Sequence, residues 1–151
     1  MGTAMDETGW ITHQLGVEGR GYEEVLYISG VYDYDWSDVV VVRGPDRTSY
    51  WVGTDCGCSC QSPFEYTESL DDLTGPLTLE QAKESVEISV RDDRIICDNN
   101  GLESDEDVRR YVEEEFQFGF ERLEARRAGL SESTSGSQKD AGVADSSGDK
   151  A

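Results

Sequence analysis

The sequence predicts an α+β domain, in which a small antiparallel sheet of three or four strands packs against two helices. Runs rich in β-branched and aromatic residues, separated by turn signals, fill residues 22–54. Capped segments with helical periodicity fill residues 78–128. Strands that precede helices in this way are typical of α+β domains.

The domain boundaries follow from shifts in composition. Residues 1–20 are weakly patterned and Gly-dotted, which indicates a loose lead-in. From Ser131 the chain has no aromatic residue and no Leu, Ile or Phe, so it cannot bury enough apolar surface to offset its chain entropy. We therefore predict a lead-in over residues 1–20, one domain over 21–130 and a disordered, acidic Ser/Gly-rich tail over 131–151.

The strand region contains three predicted segments before its first clear turn. Residues 22–29 (YEEVLYIS) form the first strand. Residues 31–38 (VYDYDWSD) alternate strictly, which predicts that their aromatic side chains point inward and their carboxylates outward. Residues 39–43 (VVVVR) are consecutively apolar, as in a strand that is covered on both faces.

A hairpin is the clearest local prediction. Residues 44–46 (GPD) supply turn chemistry, because Pro restricts φ and Asp tolerates turn geometry. Residues 48–54 (TSYWVGT) then return as the partner of the Val-rich strand. The sequence thus predicts a hairpin over residues 39–54.

Two capping boxes mark the predicted helices. Thr78 with Gln81 opens the first, and Ser104 with Asp107 opens a long helix that runs to about Ala128. Between them, residues 94–98 (RIICD) fit either a short strand or a buried helix end. One face of the long helix is predicted to be apolar and consists of Val108, Tyr111, Val112, Phe116, Gly119 and Leu123, widened by Phe118 and Phe120.

The charge of the chain restricts its partners. There are 33 Asp and Glu against 13 Lys and Arg, a net charge of −20. The tail from Ser131 holds four acids and two lysines, so all but −2 of this charge belongs to residues 1–130. Direct binding of nucleic acid or of an anionic membrane is disfavoured, because both need basic protein groups. We expect a host protein with a basic surface as the partner.

The sequence also indicates the compartment. No apolar stretch is long enough for a transmembrane helix. The first ten residues (MGTAMDETGW) have neither a basic leader nor an apolar core, unlike a signal peptide. We expect a cytoplasmic protein, in the host cytoplasm if phage-encoded, with reduced cysteines.

Four cysteines are weak candidate metal ligands: Cys56, Cys58, Cys60 and Cys97. Zinc sites usually place two to four residues between paired thiolates, and one-residue spacers do not fit that pattern. The alternatives are small side chains that pack in a tight loop, or a disulfide such as Cys56–Cys60 in an oxidising setting. We therefore predict no metal and no cofactor, and purified protein can be assayed for zinc.

Other site chemistry is sparse. The acidic run at residues 33–38 begins like a calcium loop, but Asp38 stands where an EF-hand needs Gly and Gly44 where it needs Glu. No nucleophile elbow, phosphate-binding loop or zinc-protease motif occurs. We expect a protein that is not an enzyme.

The candidate partner-binding residues are all acidic. On the long helix Asp107, Glu114 and Glu121 recur every seven residues and present a line of carboxylates to a basic surface. A solvated helix face is the alternative, because runs of charge commonly serve solubility. Asp33 and Asp35 of the acidic run complete the set.

One stretch of the chain resembles a known family. It has an acidic Tyr/Trp run, a Val-rich strand, a Tyr-Trp pair, a GCSCxSPFE segment and an LDDLTGPLT segment. These lie at residues 35–38, 39–42, 50–51, 57–65 and 70–78. Together they resemble a family of small proteins from actinobacteria and their tailed phages to which no activity is assigned. The resemblance covers roughly residues 30–85 and implies a phage or actinobacterial setting.

We therefore expect an acidic accessory protein that binds and modulates a host protein, for example by covering a surface that binds nucleic acid. Two alternatives remain open. One is a metal- or redox-dependent module built on the cysteine cluster. The other is a structural or accessory protein of the virion.

Overall fold

The computed structural model describes residues 9–129, so the predicted tail and the first eight residues lie outside the described range. The chain divides into two compact units, one up to Gly119 and one from Phe120 onward. The described part of the second unit is a helical stretch in which Leu123 is buried. Within residues 9–129, no helix is both long and apolar enough to cross a membrane.

The first unit contains one antiparallel sheet of four strands in the order β1-β2-β3-β4. The strand bounds are Glu23–Tyr32 for β1, Asp35–Arg43 for β2, Tyr50–Cys58 for β3 and Thr74–Leu77 for β4. The predicted hairpin is confirmed as β2 and β3, with Val40 opposite Gly53 and Val42 opposite Trp51. The α+β fold class is confirmed as well.

The alternating segment over residues 31–38 is not a strand of its own. β1 ends at Tyr32, Asp33 and Tyr34 form a two-residue turn, and β2 begins at Asp35. Asp33 has φ of 55°, in the left-handed region that Asp tolerates better than most residues. The prediction of inward aromatic side chains is wrong here, because Tyr32 and Tyr34 are 65% and 77% exposed.

The four valines of residues 39–42 are all buried, in agreement with a strand covered on both faces. Val40 and Val42 pack in one cluster with Ile11 and Phe64. Alternation along the strand places the other two valines on the opposite face. β2 therefore lies at the centre of the first unit, between β1 and β3 and with both of its faces covered.

The described part of the predicted lead-in is folded. Trp10–Gln14 form helix α1, and Ile11 and Leu15, four residues apart, lie on the same helix face and are both buried. Val17 is buried too and belongs to the same cluster. A helix of one turn is too short for its periodicity to be recognised in sequence, which explains the difference from the expected loose segment.

Helix α3, Arg94–Asn100, lies against the other face of the sheet. Asp93 is its N-cap and accepts a hydrogen bond from the Ile96 amide at 3.0 Å. The same carboxylate accepts a hydrogen bond from the hydroxyl of Ser37 in β2. Gly30 of β1 lies so close to α3 that an added Cβ would be 3.1 Å from the backbone of Ile96. The ambiguous segment over residues 94–98 is therefore helical.

Both predicted capped helices form. α2 spans Leu79–Arg91 and has the reciprocal Thr78–Gln81 capping box. α4 spans Asp105–Gly129. The described residues thus contain four α-helices, whereas two were predicted. They also contain a 3-10 turn at Leu70–Asp72.

The apolar face of α4 is confirmed in part. Its buried residues include Val108, Val112, Phe116 and Leu123. Phe118 is 55% exposed, so the prediction that it widens the buried face is wrong.

Candidate functional site

The turn between β1 and β2 exposes a group of apolar side chains. Val31, Tyr32 and Tyr34 are 57%, 65% and 77% exposed, and they are three of the six large apolar residues exposed within residues 9–129. Asp33 and Asp35 lie among them and are also exposed. We call residues 31–35 the hairpin tip. The predicted site residues Asp33 and Asp35 thus share one protruding surface with aromatic side chains.

A side chain from α3 holds the hairpin tip in place. β1 is an edge strand, so its outer backbone groups have no neighbouring strand. The Asn99 carboxamide takes the place of that strand: its Oδ1 accepts from the Val31 amide at 3.0 Å, and its Nδ2 donates to the Val31 carbonyl at 3.0 Å. The tip is therefore held by two hydrogen bonds, and this point of the sheet edge is closed to strand addition.

The hairpin tip continues directly into the end of β3. Asp35 lies opposite Cys58 in the strand register. The Trp36 indole N–H donates to the Cys58 carbonyl at 2.8 Å. A Cβ at Gly57 would be 2.8 Å from Cζ2 of Trp36, which explains why glycine stands beside this ring. The acidic tip and the cysteine segment thus form one surface.

The chain reverses immediately after β3. The Gln61 amide donates to the Cys58 carbonyl at 3.0 Å, and the Gln61 side-chain Oε1 accepts from the Cys58 amide at 3.2 Å. We call residues 58–61 the cysteine turn. Inside it, a hydrogen bond from the Cys60 thiol lowers the pKa of Cys58 and raises the pKa of Cys60. Cys58 is only partly exposed and Cys60 is exposed.

The four cysteines do not come together. Cys97 lies on α3, where its Sγ donates to the Val90 carbonyl at 3.1 Å and burial raises the pKa of its thiol. Cys56 is exposed on β3, two residues before the cysteine turn. In the described part of the chain, no group of three His, Cys, Asp or Glu side chains is arranged to hold a metal ion.

One carboxylate of the acidic run is inside the protein. Asp38 is 3% exposed and accepts hydrogen bonds from the Tyr27 hydroxyl at 2.5 Å and from the Ser29 hydroxyl at 2.7 Å. The prediction of an outward carboxylate is therefore wrong at this position. Residues two positions apart in a strand share a face, so Asp38 lies on the same face of β2 as the buried Val40. This spacing could have indicated that Asp38 is buried. Burial, followed by the Asp38 hydrogen bond, raises the pKa of Tyr27 above its usual value.

The three candidate acids on α4 have different surroundings. Asp107 is half-buried and accepts a hydrogen bond from the Glu103 amide at 3.0 Å, while its own amide donates to the Ser104 hydroxyl at 3.1 Å. Ser104 therefore caps the helix, and Asp107 holds the residue that precedes this cap. Glu114 is exposed in the first unit, and Glu121 is exposed in the second unit.

A cleft of about 590 Å³ opens between α2, α3 and the start of α4. Arg91 and Arg94 line it together with carboxylates that include Asp98 and Asp105. Its two arginines face four carboxylates, so the cleft is negative like the rest of the chain and is not built to bind an anion. We assign it no function.

Comparison with known proteins identifies a family and no characterised relative. No curated protein and no solved structure matches the chain significantly. A family model described as a domain of unknown function, DUF7574, matches residues 21–122. This range includes the whole sheet, the cysteine turn and most of α4. Because the match covers well over half of the chain, the protein belongs to the DUF7574 family.

Proposed function

We propose that this protein is a non-enzymatic accessory protein that binds a basic surface of another protein through its hairpin tip. In the phage or actinobacterial setting that the sequence resembles, the partner is a host protein in the cytoplasm. The proposed effect is occlusion, in which the acidic protein covers a surface that its partner needs for another ligand. A surface that binds nucleic acid has the required basic character.

The observation that carries this proposal is the composition of the hairpin tip. Tyr32 and Tyr34 project from a held turn and are 65% and 77% exposed. Tyrosine is one of the side chains that contributes most to binding energy in protein interfaces, because it offers a large rigid apolar area and a polar end. Asp33 and Asp35 supply charge at the same place.

Preorganisation supports the choice of this surface. The side-chain carboxamide of Asn99 forms hydrogen bonds with both backbone groups of Val31. The indole N–H of Trp36, near the start of β2, donates to the Cys58 carbonyl. A rigid surface loses less conformational entropy on binding than a flexible loop does. The tip therefore meets its partner in a conformation that it already has.

The net charge supports a basic partner. The chain carries −20, and nearly all of this charge lies outside the tail. Such a field attracts basic proteins and accelerates their encounter, and salt weakens it over distances of about 8 Å at physiological ionic strength. The aromatic contacts then provide specificity that charge alone does not.

The helix acids are the less favoured surface. The Asp107 carboxylate is engaged by the Glu103 amide at the start of α4, which leaves Glu114 as the remaining candidate on that helix in the first unit. A single exposed carboxylate supplies little binding energy. We therefore place the contact at the hairpin tip.

The test compares immobilised variants of the full chain in lysate of the bacterial host, with quantitative mass spectrometry of the retained proteins. Asp33→Asn with Asp35→Asn removes the charge of the tip, and Asn retains tolerance of the left-handed backbone at position 33. Tyr34→Ala removes the aromatic contact. The matched control is Glu80→Gln with Glu84→Gln, which removes the same charge from exposed positions on α2.

A basic protein retained by the wild type and the α2 control, but lost from both tip variants and at high salt, supports the proposal. Equal loss from the α2 control would show that only total charge matters. A partner that is lost from Glu114→Gln but still retained by both tip variants would place the contact on α4. Either of these results contradicts the proposed surface.

A further inference from the structure

Cys58 and Cys60 are placed so that one disulfide can join them. The hydrogen bond from the Gln61 amide to the Cys58 carbonyl, 3.0 Å, closes the cysteine turn around the two residues. A turn of this kind brings Cα atoms two positions apart to roughly 5–6 Å, which is the usual Cα separation across a disulfide. The neighbouring Cys60 thiol lowers the pKa of Cys58 and so favours its thiolate.

Cys56 is not an equivalent partner for Cys58. Both residues lie in β3, and a strand rises about 3.3 Å per residue, so their side chains stand roughly 6.6 Å apart on one face. A disulfide needs Cβ atoms at about 3.8 Å. Bridging Cys56 to Cys58 would therefore break the strand pairing, whereas bridging Cys58 to Cys60 leaves β3 intact.

The two thiols also differ in reactivity. The thiolate is the nucleophile in disulfide exchange, and the hydrogen bonds from Cys60 lower the pKa of Cys58. The thiol of Cys60 keeps its proton more strongly and is the second thiol to react. Asp35 beside Cys58 and Glu65 beside Cys60 make the surroundings negative.

We propose that Cys58 and Cys60 form a dithiol–disulfide pair that exchanges with small cationic disulfides. The Cys58 thiolate attacks one sulfur of the small disulfide, its S–S bond breaks, and one small thiolate leaves. Cys60 then loses its proton to solvent, attacks the Cys58 sulfur in the mixed disulfide and releases the second small thiolate. The protein loses two electrons and two protons, and the small disulfide is reduced to two thiols.

The preference for cationic disulfides follows from the charge around the site. A negative surface raises the local concentration of cations and lowers that of anions. The hairpin tip adds Asp33 next to Asp35 on the same surface, which makes the field around Cys58 more negative. This inference stands whether or not the tip binds a protein.

The experiment treats the reduced full-length protein with cystamine, which is cationic, and separately with glutathione disulfide, which is anionic. Intact-mass spectrometry after alkylation counts free thiols, and peptide mapping locates the bridge. The variants are Cys56→Ser, Cys58→Ser and Cys60→Ser, with Asp35→Asn to reduce the local charge.

The wild type and Cys56→Ser are expected to form a Cys58–Cys60 bridge without a retained adduct. Cys60→Ser is expected to stop at a mixed disulfide on Cys58. Cystamine should react about tenfold faster than glutathione disulfide at low salt, and Asp35→Asn or high salt should shrink this ratio.

Three results would overturn the proposal. The first is a wild-type protein that accumulates the same mixed disulfide as Cys60→Ser. The second is a bridge that maps to Cys56. The third is a cystamine preference that neither salt nor Asp35→Asn changes, because the selectivity would then come from the reagents and not from the site.

Discussion

Gly119 of α4 lies directly against the backbone carbonyl of Val25 in β1. A Cβ added at Gly119 would collide with the Val25 carbonyl oxygen and would be 3.0 Å from the Val25 Cγ1 atom. The obstacle is backbone, which cannot rotate away as the end of a flexible side chain can. Glycine at this position therefore lets the backbone of a helix approach the backbone of a strand.

Replacement Gly119→Ala is expected to destabilise the protein by about 1–3 kcal/mol, as overpacking does. The sign of this change in unfolding free energy is informative, because Gly to Ala in an ordinary helix interior stabilises a protein by roughly 0.5–1 kcal/mol. Urea unfolding followed by circular dichroism measures the change. Phe118→Ala, at an exposed position on the same helix, is the control, and a stabilising effect of Gly119→Ala would contradict the close approach.

Removal of the phenol hydroxyl with Tyr27→Phe is expected to lower the free energy of unfolding by about 1–2 kcal/mol. The reason is that the buried Asp38 carboxylate loses the donor at 2.5 Å and retains Ser29. Chemical denaturation at neutral pH measures this loss. Tyr34→Phe, at an exposed position, should change stability little, and equal effects of the two substitutions would argue against a specific contact.

The raised pKa of Tyr27 predicts that the protein loses stability at alkaline pH. Burial and Asp38 raise the pKa of Tyr27 in the folded protein above the usual value of 10.0. The folded state keeps the phenolic proton that the unfolded chain loses, so this stabilisation is complete below about pH 10 and declines as pH rises further. Burial raises the pKa of Tyr111 to about 12, which adds an effect of the same sign.

Unfolding curves between about pH 8 and pH 11 check this prediction. The free energy of unfolding of the wild type should fall across the upper part of that range, and the fall should be shallower in Tyr27→Phe. Identical slopes in the two proteins would show that Tyr27 is not responsible.

The substitution Asn99→Ala removes the strand-like pairing with Val31. Amide hydrogen exchange at Val31 is expected to become several-fold faster. The Val31 amide donates to the Asn99 side chain and has no strand partner on the outer edge of β1. Exchange measured by nuclear magnetic resonance reports this site directly. Asn100→Ala is the matched control, because the Asn100 side chain bonds the Ile96 carbonyl within α3. Unchanged protection of Val31 in Asn99→Ala would contradict the role of Asn99.

Several features were predictable because they depend on neighbouring residues in the chain. The capping box at Thr78 and Gln81 and the hairpin over residues 39–54 are examples, since caps and turns are decided over three or four residues. The Val-rich run likewise predicts a strand that is buried on both faces. The exposed acids Asp33 and Asp35 were found from the same local pattern.

Other features were not predictable, either because the local pattern is ambiguous or because they depend on contacts between distant segments. An alternating pattern shows that side chains point to opposite sides, but it does not show where the chain turns. The turn at Asp33 reverses the chain and leaves Tyr34 in solvent. The pairing of Asn99 with Val31 joins residues 68 positions apart, and no local pattern signals it.

The sequence by itself determined the fold class, the central hairpin, the capped helices and the acidic character of the protein. These properties follow from composition and from interactions within a few residues. Only the tertiary structure decided that Asp38 is buried on Tyr27, that Gly119 meets Val25 and that Asn99 pairs with Val31. The physical reason is that burial, close backbone approach and pairing between distant residues depend on which segments the packed sheet and helices bring together.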